Sequence, residues 1–254
     1  LEWIKFGSQS MEAVSSEFHR VSPPNNVRLH LDHIPVIDED NETVDYVEHI
    51  NRAIKLGYQS VMIDGSRLLL QDNISATRAV VEIAHRAQVP VEAELGAVLG
   101  HEAQPEMTYE EVLRTRTGFT SPEEAARFAK ETQCDWLSVA FGNIHGAVSE
   151  ALRHKKKVAA QLDIQHLSVL QEATGIPLVL HGGSGIPQSH IEQAVQNGIA
   201  KMNIGTEVRQ TYEQTLDSTG SQETAQNAVY DNTVKILRDF LQVAGKKSRV
   251  VEAM

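Results

Sequence analysis

The chain has 254 residues, 41% hydrophobic and 22% charged, with a formal net charge of −11. That length suffices for a sizeable core, and the acidic balance argues against a nucleic-acid surface; the basic run Lys155-Lys156-Lys157 reads as a solvated face. No stretch approaches the roughly 18 apolar residues of a membrane span, and Cys134 is the single cysteine, so no intrachain disulfide can form and a cytoplasmic location is expected.

Leu1 to about His19 is predicted as a helix and Val27–Leu31 as the first strand. A helix follows from Asn41 to Leu56, stopped by Gly57. Next come a strand at Ser60–Ile63, a helix near Asn73–Gln88 with Pro90 beyond it, and a strand at Val91–Leu95. Gly96 to Phe119 is a long polar stretch. Ser121-Pro122-Glu123-Glu124 starts a helix with a Ser cap, a Pro in the first turn and a Glu that closes a capping box. Trp136–Ala140 is the fourth strand, Asp163–Ala173 a helix before Gly175, and Leu178–Leu180 the fifth strand. Ser189 opens a capped helix that ends at Gly198, Lys201–Ile204 is the sixth strand, and an amphipathic helix runs from about Ala225 to Val243.

Short apolar strands alternating with amphipathic helices predict right-handed βαβ units, a parallel sheet and an α/β fold. Six strands are two fewer than a closed (β/α)8 TIM barrel needs. The chain is therefore either an open doubly wound sheet or a TIM barrel whose first two strands are missing from the sequence. The start at Leu1 rather than Met favours the barrel, with roughly 40–60 preceding residues expected. Nothing divides residues 1–254, so one barrel domain is expected.

Three histidine motifs each close an apolar run and open a polar or Gly-rich loop. They are Leu29-His30-Leu31-Asp32-His33, Gly142-Asn143-Ile144-His145-Gly146 and Leu180-His181-Gly182-Gly183-Ser184-Gly185. In a parallel sheet all three emerge on one rim. Neutral imidazole is the commonest protein ligand for zinc, and a catalytic zinc takes three protein ligands while keeping one position open. One shared divalent-metal site is the expectation. Asp32, directly before His33, can orient a ligand or act as acid and base on a bound substrate. His30, on the strand face of Asp32, reads as a residue packed behind the site.

Glu92 and Glu94 alternate on one strand face, and buried carboxylates need partners. They are either a salt-bridged interior pair or lie close to the metal. Glu102, in the polar stretch, reads by itself as a surface residue. The loops Gly182–Gly185 and Asn203–Thr206 follow the last two strands. Backbone N–H groups in such turns bind anions, and TIM barrels commonly hold a phosphate between those loops.

In this order, HLDH, VEAELG, GNIHG, HGGSG and NIGTE resemble the class II, zinc-dependent ketose-bisphosphate aldolases, of fructose or tagatose type, from about Val27 to Glu207. The resemblance implies a lyase that reversibly cleaves a ketose 1,6-bisphosphate to dihydroxyacetone phosphate and glyceraldehyde 3-phosphate, with Zn2+ as Lewis acid. It implies that His33, His145 and His181 bind this zinc and that Glu94 belongs to an alternate or second metal position. Asp32 would act on the C4 hydroxyl, Glu102 would exchange the proton at the carbanion carbon, and Asn203 would stabilise the enediolate. Gly146, Gly182, Gly183, Ser184, Asn203, Gly205 and Thr206 match phosphate-holding positions, with a monovalent cation, Na+ or K+, nearby. The implied partners are a sugar phosphate and further copies of the chain, as a homodimer or homotetramer, with no nucleic acid and no membrane.

The rival readings are an aldolase for another phosphorylated ketose, a metal-dependent TIM-barrel hydrolase with Asp32 as base, and a non-catalytic partner subunit of an aldolase. Phosphate-type loops beside the metal speak against hydrolysis, and the set Asp32, His33, His145 and His181 speaks against lost chemistry. A Schiff-base aldolase is disfavoured because Lys201 is expected to begin its strand, away from the metal rim.

Overall fold

The structure, a computed structural model, describes residues 10–96, 109–143 and 160–245. Its strands are β1 (His30–Pro35), β2 (Ser60–Asp64), β3 (Val91–Leu95), β4 (Trp136–Val139), β5 (Leu178–Leu180) and β6 (Ile199–Met202). Around them lie α1 (Met11–Val21), α2 (Tyr46–Lys55), α3 (Leu70–Arg86), α4 (Tyr109–Thr115), α5 (Pro122–Thr132), α6 (Ile164–Thr174), α7 (Gln188–Gln196), α8 (Thr206–Thr219) and α9 (Gln222–Lys235), with a π-helical turn at Ile236–Phe240.

Every strand pairs in parallel with the next, in the order β1-β2-β3-β4-β5-β6. A doubly wound sheet reverses its strand order at a switch point, and this order contains none. The sheet is instead curled into a half-barrel, as in an α/β TIM-barrel fold. Among the described residues β1 and β6 stand at its two edges and do not pair with each other.

Side chains alternate along a strand, so β3 divides its residues between two faces. Val91, Ala93 and Leu95 join the apolar cluster with Ile74, Val80, Phe128 and Leu137. Glu92 and Glu94 take the opposite face, yet both are buried. The polar interior of the half-barrel is thus a property of strand register.

Several boundaries differ from the predicted ones. β1 continues through Asp32 and His33 to Pro35, because a register shift against β2 between Leu31 and Ile34 absorbs the two polar residues. β6 begins at Ile199, two residues before the predicted start. Ser189 is not a cap: α7 begins at Gln188 after Pro187 and has no side-chain cap. Ser121 does cap α5, accepting from Glu124 N–H at 3.3 Å. α8 was not predicted: its apolar stripe is reduced to Val208, Tyr212 and Leu216, and none of its residues is fully buried. α4 lies within the stretch read as polar loop. No helix among the described residues is long and apolar enough to cross a membrane.

Candidate metal centre

Asp32 and His33 are neighbours on a strand, and strict alternation would send them to opposite faces. The irregularity in β1 prevents this. His33 adopts φ 39°, in the left-handed region that non-glycine residues rarely enter, at the point where the β1–β2 register shifts. Such a conformation costs on the order of 1–3 kcal/mol and persists where its surroundings fix it. Asp32 consequently meets the end of β6, while His33 meets β2, β3 and β5.

His33 Nδ1 lies 3.1 Å from Asp64 Oδ2 and 3.8 Å from Glu94 Oε2. Its ring stands edge-on to that of His181, with centroids 4.6 Å apart. His181 is fully buried; its Nε2 is 2.8 Å from Glu92 Oε1, and its Nδ1 is 3.4 Å from Glu94 Oε2. A carboxylate only accepts, so Nε2 of His181 and Nδ1 of His33 carry the protons. This leaves His181 Nδ1 as the lone-pair donor, and His33 Nε2 becomes one when a metal displaces the second proton that the surrounding carboxylates hold on that ring.

The charges fit a cation at this point. Burial opposes a charge on His33, but Asp64, Glu94 and Asp32 outweigh it and push its pKa up to about 10. Burial lowers the pKa of His181, and His33 adds to that effect against Glu92. Burial also opposes ionisation of Asp32, yet His30, His33, Lys201 and His181 hold its carboxyl well below the usual range. Asp64 is likewise held low against burial by His33 and Ser66. One ligand atom from each of Asp32, His33 and His181 lies within 4.8 Å of the others, and the same is true of His33, Asp64 and Glu94. Two imidazoles and surplus carboxylates at this spacing can hold a divalent metal, with the outer carboxylates fixing the rings.

Beyond the histidines, Asn203 Nδ2 donates to both oxygens of Asp32, at 3.2 Å each. The two loops after β5 and β6 are tied together. Gly183 N–H donates to the Asn203 carbonyl at 2.9 Å, and Asn203 N–H to the Leu180 carbonyl at 2.9 Å. A Cβ on Gly183 would fall 2.6 Å from Met202 Cγ and 3.0 Å from the Asn203 carbonyl oxygen, so any side chain there must displace Met202 and press on the Asn203 backbone. Gly182 has φ 73°, Ser184 is buried, and Gly205 directly precedes α8, whose first residue is Thr206. The predicted phosphate residues Gly182, Gly183, Ser184, Asn203, Gly205 and Thr206 thus lie on two joined loops at the rim that carries His181.

His145, Gly146 and Glu102 lie outside the described residues. The approach to His145 is described as far as Asn143, whose buried amide donates through Nδ2 to the His181 carbonyl at 3.1 Å and accepts from Phe141 N–H.

Two residues were missed or misplaced by sequence reasoning. Asp64 closes β2 as the aspartate of Met62-Ile63-Asp64-Gly65-Ser66, a polar residue ending an apolar strand before a turn, and that signal was available. Lys201 is a correction. It is the third residue of β6 rather than the first, and its ammonium lies inside the half-barrel, 2.7 Å from Glu92 Oε2 and 3.7 Å from Asp32 Oδ1. Of the two open readings for Glu92 and Glu94, both hold in part. Glu92 is a salt-bridged interior residue that also orients His181, and Glu94 faces both histidines.

Known proteins share this fold. The crystal structure of the YdjI aldolase from Escherichia coli K12 superposes with a TM-score of 0.70 at 28% identity, over 92% of this chain and 77% of that one. A candidate fructose-1,6-biphosphate aldolase from Coccidioides immitis gives a TM-score of 0.72 at 28% identity, over 96% of this chain and 81% of its own. Fructose-bisphosphate aldolase from Campylobacter jejuni, at 18% identity, shares the fold with a TM-score of 0.65 over 91% of this chain and 75% of that one. The family model for class-II fructose-bisphosphate aldolase matches residues 3–253. With that match over nearly its whole length, the chain belongs to the class II fructose-bisphosphate aldolase family, and it is an aldolase, a lyase.

Proposed function

We propose that this aldolase reversibly cleaves a ketose 1,6-bisphosphate, of fructose or tagatose configuration, and uses zinc held by His33, His181 and His145. The observation that carries the reading is the junction of two groups. His33 and His181 face each other beside Asp32, and Asp32 is held by Asn203 at the loops suited to phosphate. The Coccidioides immitis neighbour's description as a fructose-1,6-biphosphate aldolase supports the same substrate class.

Bound zinc would supply Lewis-acid polarisation of the substrate's ketone oxygen. The N–H groups of Gly182 and Ser184 and the start of α8 at Gly205 and Thr206 would hold the phosphate nearest that ketone, together with Gly146 and a monovalent cation, while the Gly183 N–H ties this loop to Asn203. Asp32 takes the C4 hydroxyl proton. The C4–O bond gains double-bond character, the C3–C4 bond breaks, and the electron pair stays on C3. Glu102 returns a proton to C3, which yields dihydroxyacetone phosphate beside the released aldehyde. Asn203 keeps the Asp32 carboxylate turned toward the substrate side of the rim and offers an amide donor where negative charge develops.

The test is a coupled assay for dihydroxyacetone phosphate over a panel of ketose phosphates, with and without chelator. Release from fructose or tagatose 1,6-bisphosphate that chelator abolishes and zinc restores is the expected result. Release from other phosphorylated ketoses alone would move the substrate assignment, and chelator-resistant release would overturn the metal role.

A further inference from the structure

Behind the His33–His181 pair lies a second group of possible ligands, His30, Asp32 and Glu92, each offering an atom within 4.8 Å of the others. Two of its three edges have the spacing of ligands around one ion. His30 Nε2 is 3.5 Å from Asp32 Oδ1 and 3.5 Å from Glu92 Oε2. Ligands in a zinc tetrahedron at about 2.1 Å from the ion lie roughly 3.4 Å apart. His30 is fixed from behind by Ser60 Oγ, 2.8 Å from its Nδ1, which leaves Nε2 toward the carboxylates. Glu92 is fully buried and is fixed through its other oxygen by His181.

A cation already sits against these oxygens. Lys201 Nζ is 2.7 Å from Glu92 Oε2 and 3.7 Å from Asp32 Oδ1, the same two atoms that face His30. A buried carboxylate beside a second carboxylate needs positive charge, and either an ammonium or a metal can provide it. Against burial, His181, Lys201 and His30 together keep Glu92 ionised.

We propose that Lys201 is a tethered cation that fills the His30–Asp32–Glu92 pocket and keeps a divalent ion out of it, so that Asp32 is not captured as a ligand of a second ion on that side. An Asp32 bound to metal could not take a proton from substrate. Lys201 is thus a positioning residue, which acts through Asp32 and Glu92. The inference rests on the proposed role of Asp32 for its functional meaning, but not for its test.

The test counts metal rather than turnover. Wild type, Lys201→Ala, Lys201→Arg and Lys201→Ala/His30→Ala are equilibrated over a buffered free-zinc series, and zinc per chain is measured by plasma mass spectrometry alongside the melting temperature. Lys201→Ala is expected to bind one zinc more per chain than wild type. Lys201→Arg, which keeps the charge, should match wild type, and the double variant should lose the added ion. If Lys201→Ala is unstable, zinc should raise its melting temperature more than that of wild type. Equal zinc counts in Lys201→Ala and wild type, an added ion that survives His30→Ala, or no zinc-dependent gain in an unstable variant would each overturn the proposal. A wild type that binds no zinc would instead refute the metal reading of His33 and His181, and it leaves the difference between variant and wild type as informative as before.

Discussion

Asn203 places its side-chain amide on both carboxylate oxygens of Asp32, at 3.2 Å each, although 171 positions separate the two residues. The backbone of Asn203 is pinned on both sides by Leu180 and Gly183, so the amide is presented by a fixed support. Asn203→Ala is expected to lower kcat by about 10²–10³-fold, the usual loss for one preorganised donor, with zinc content unchanged. Steady-state release of dihydroxyacetone phosphate and metal analysis on the same sample check this. Zinc loss in parallel with activity would show that Asn203 supports the metal instead.

Glu92 joins His181 to Lys201 from a fully buried position. Glu92→Ala leaves an imidazole N–H without its acceptor and an ammonium without its closest anion. Breaking such a buried pair costs about 3–5 kcal/mol, and losing the partner of a metal-binding His typically weakens metal binding about 10–100-fold. Denaturant melts and zinc competition titrations should show both effects, and Glu92→Gln should show smaller ones. Zinc affinity in Glu92→Ala equal to that of wild type would contradict the orienting role.

Gly183 has room for no side chain against Met202 and the Asn203 carbonyl. Gly183→Ala is expected to destabilise the fold by about 1–3 kcal/mol, the range for forced overpacking, and to separate the two rim loops. KM for the phosphorylated substrate should rise more than in a control of equal instability placed away from the rim. An unchanged KM would separate this loop from phosphate binding.

Burial pushes the Cys134 thiol up to about 11, from an ordinary value of 9.0. The folded state therefore holds its proton where the unfolded thiol has lost it. This contribution to stability is complete below about pH 9 and is lost as pH rises toward 11, at about 1.4 kcal/mol per unit. Stability curves of wild type and Cys134→Ala should diverge with that slope over this window. A constant difference from pH 7 to 11 would count against it. The same burial predicts thiol alkylation only after unfolding.

The alternation of apolar strands and helices was legible because both faces of these strands are covered, and a buried strand such as Ser60–Asp64 needs apolar residues along its length. The rim position of His33 and His181 followed from the same pattern. Other features left no local mark. The turn of Asp32 and His33 toward one site depends on a register shift against β2, a pairing property with no single-strand signature. Lys201 was misplaced because the boundary of β6 was drawn at its first charged residue, whereas the strand begins at Ile199 and sends the lysine inward. α8 escaped because its apolar stripe is thin, with Val208, Tyr212 and Leu216 four residues apart and only half-buried.

In the proposed reading, His33 and His181 share one divalent ion beside Asp32. Anomalous diffraction at the zinc edge, from crystals of the zinc-loaded protein, tests it directly. The expected result is one peak about 2.0–2.1 Å from a ring nitrogen of each histidine, namely Nε2 of His33 and Nδ1 of His181. A zinc peak elsewhere, or one that touches only one of the two rings, would contradict it.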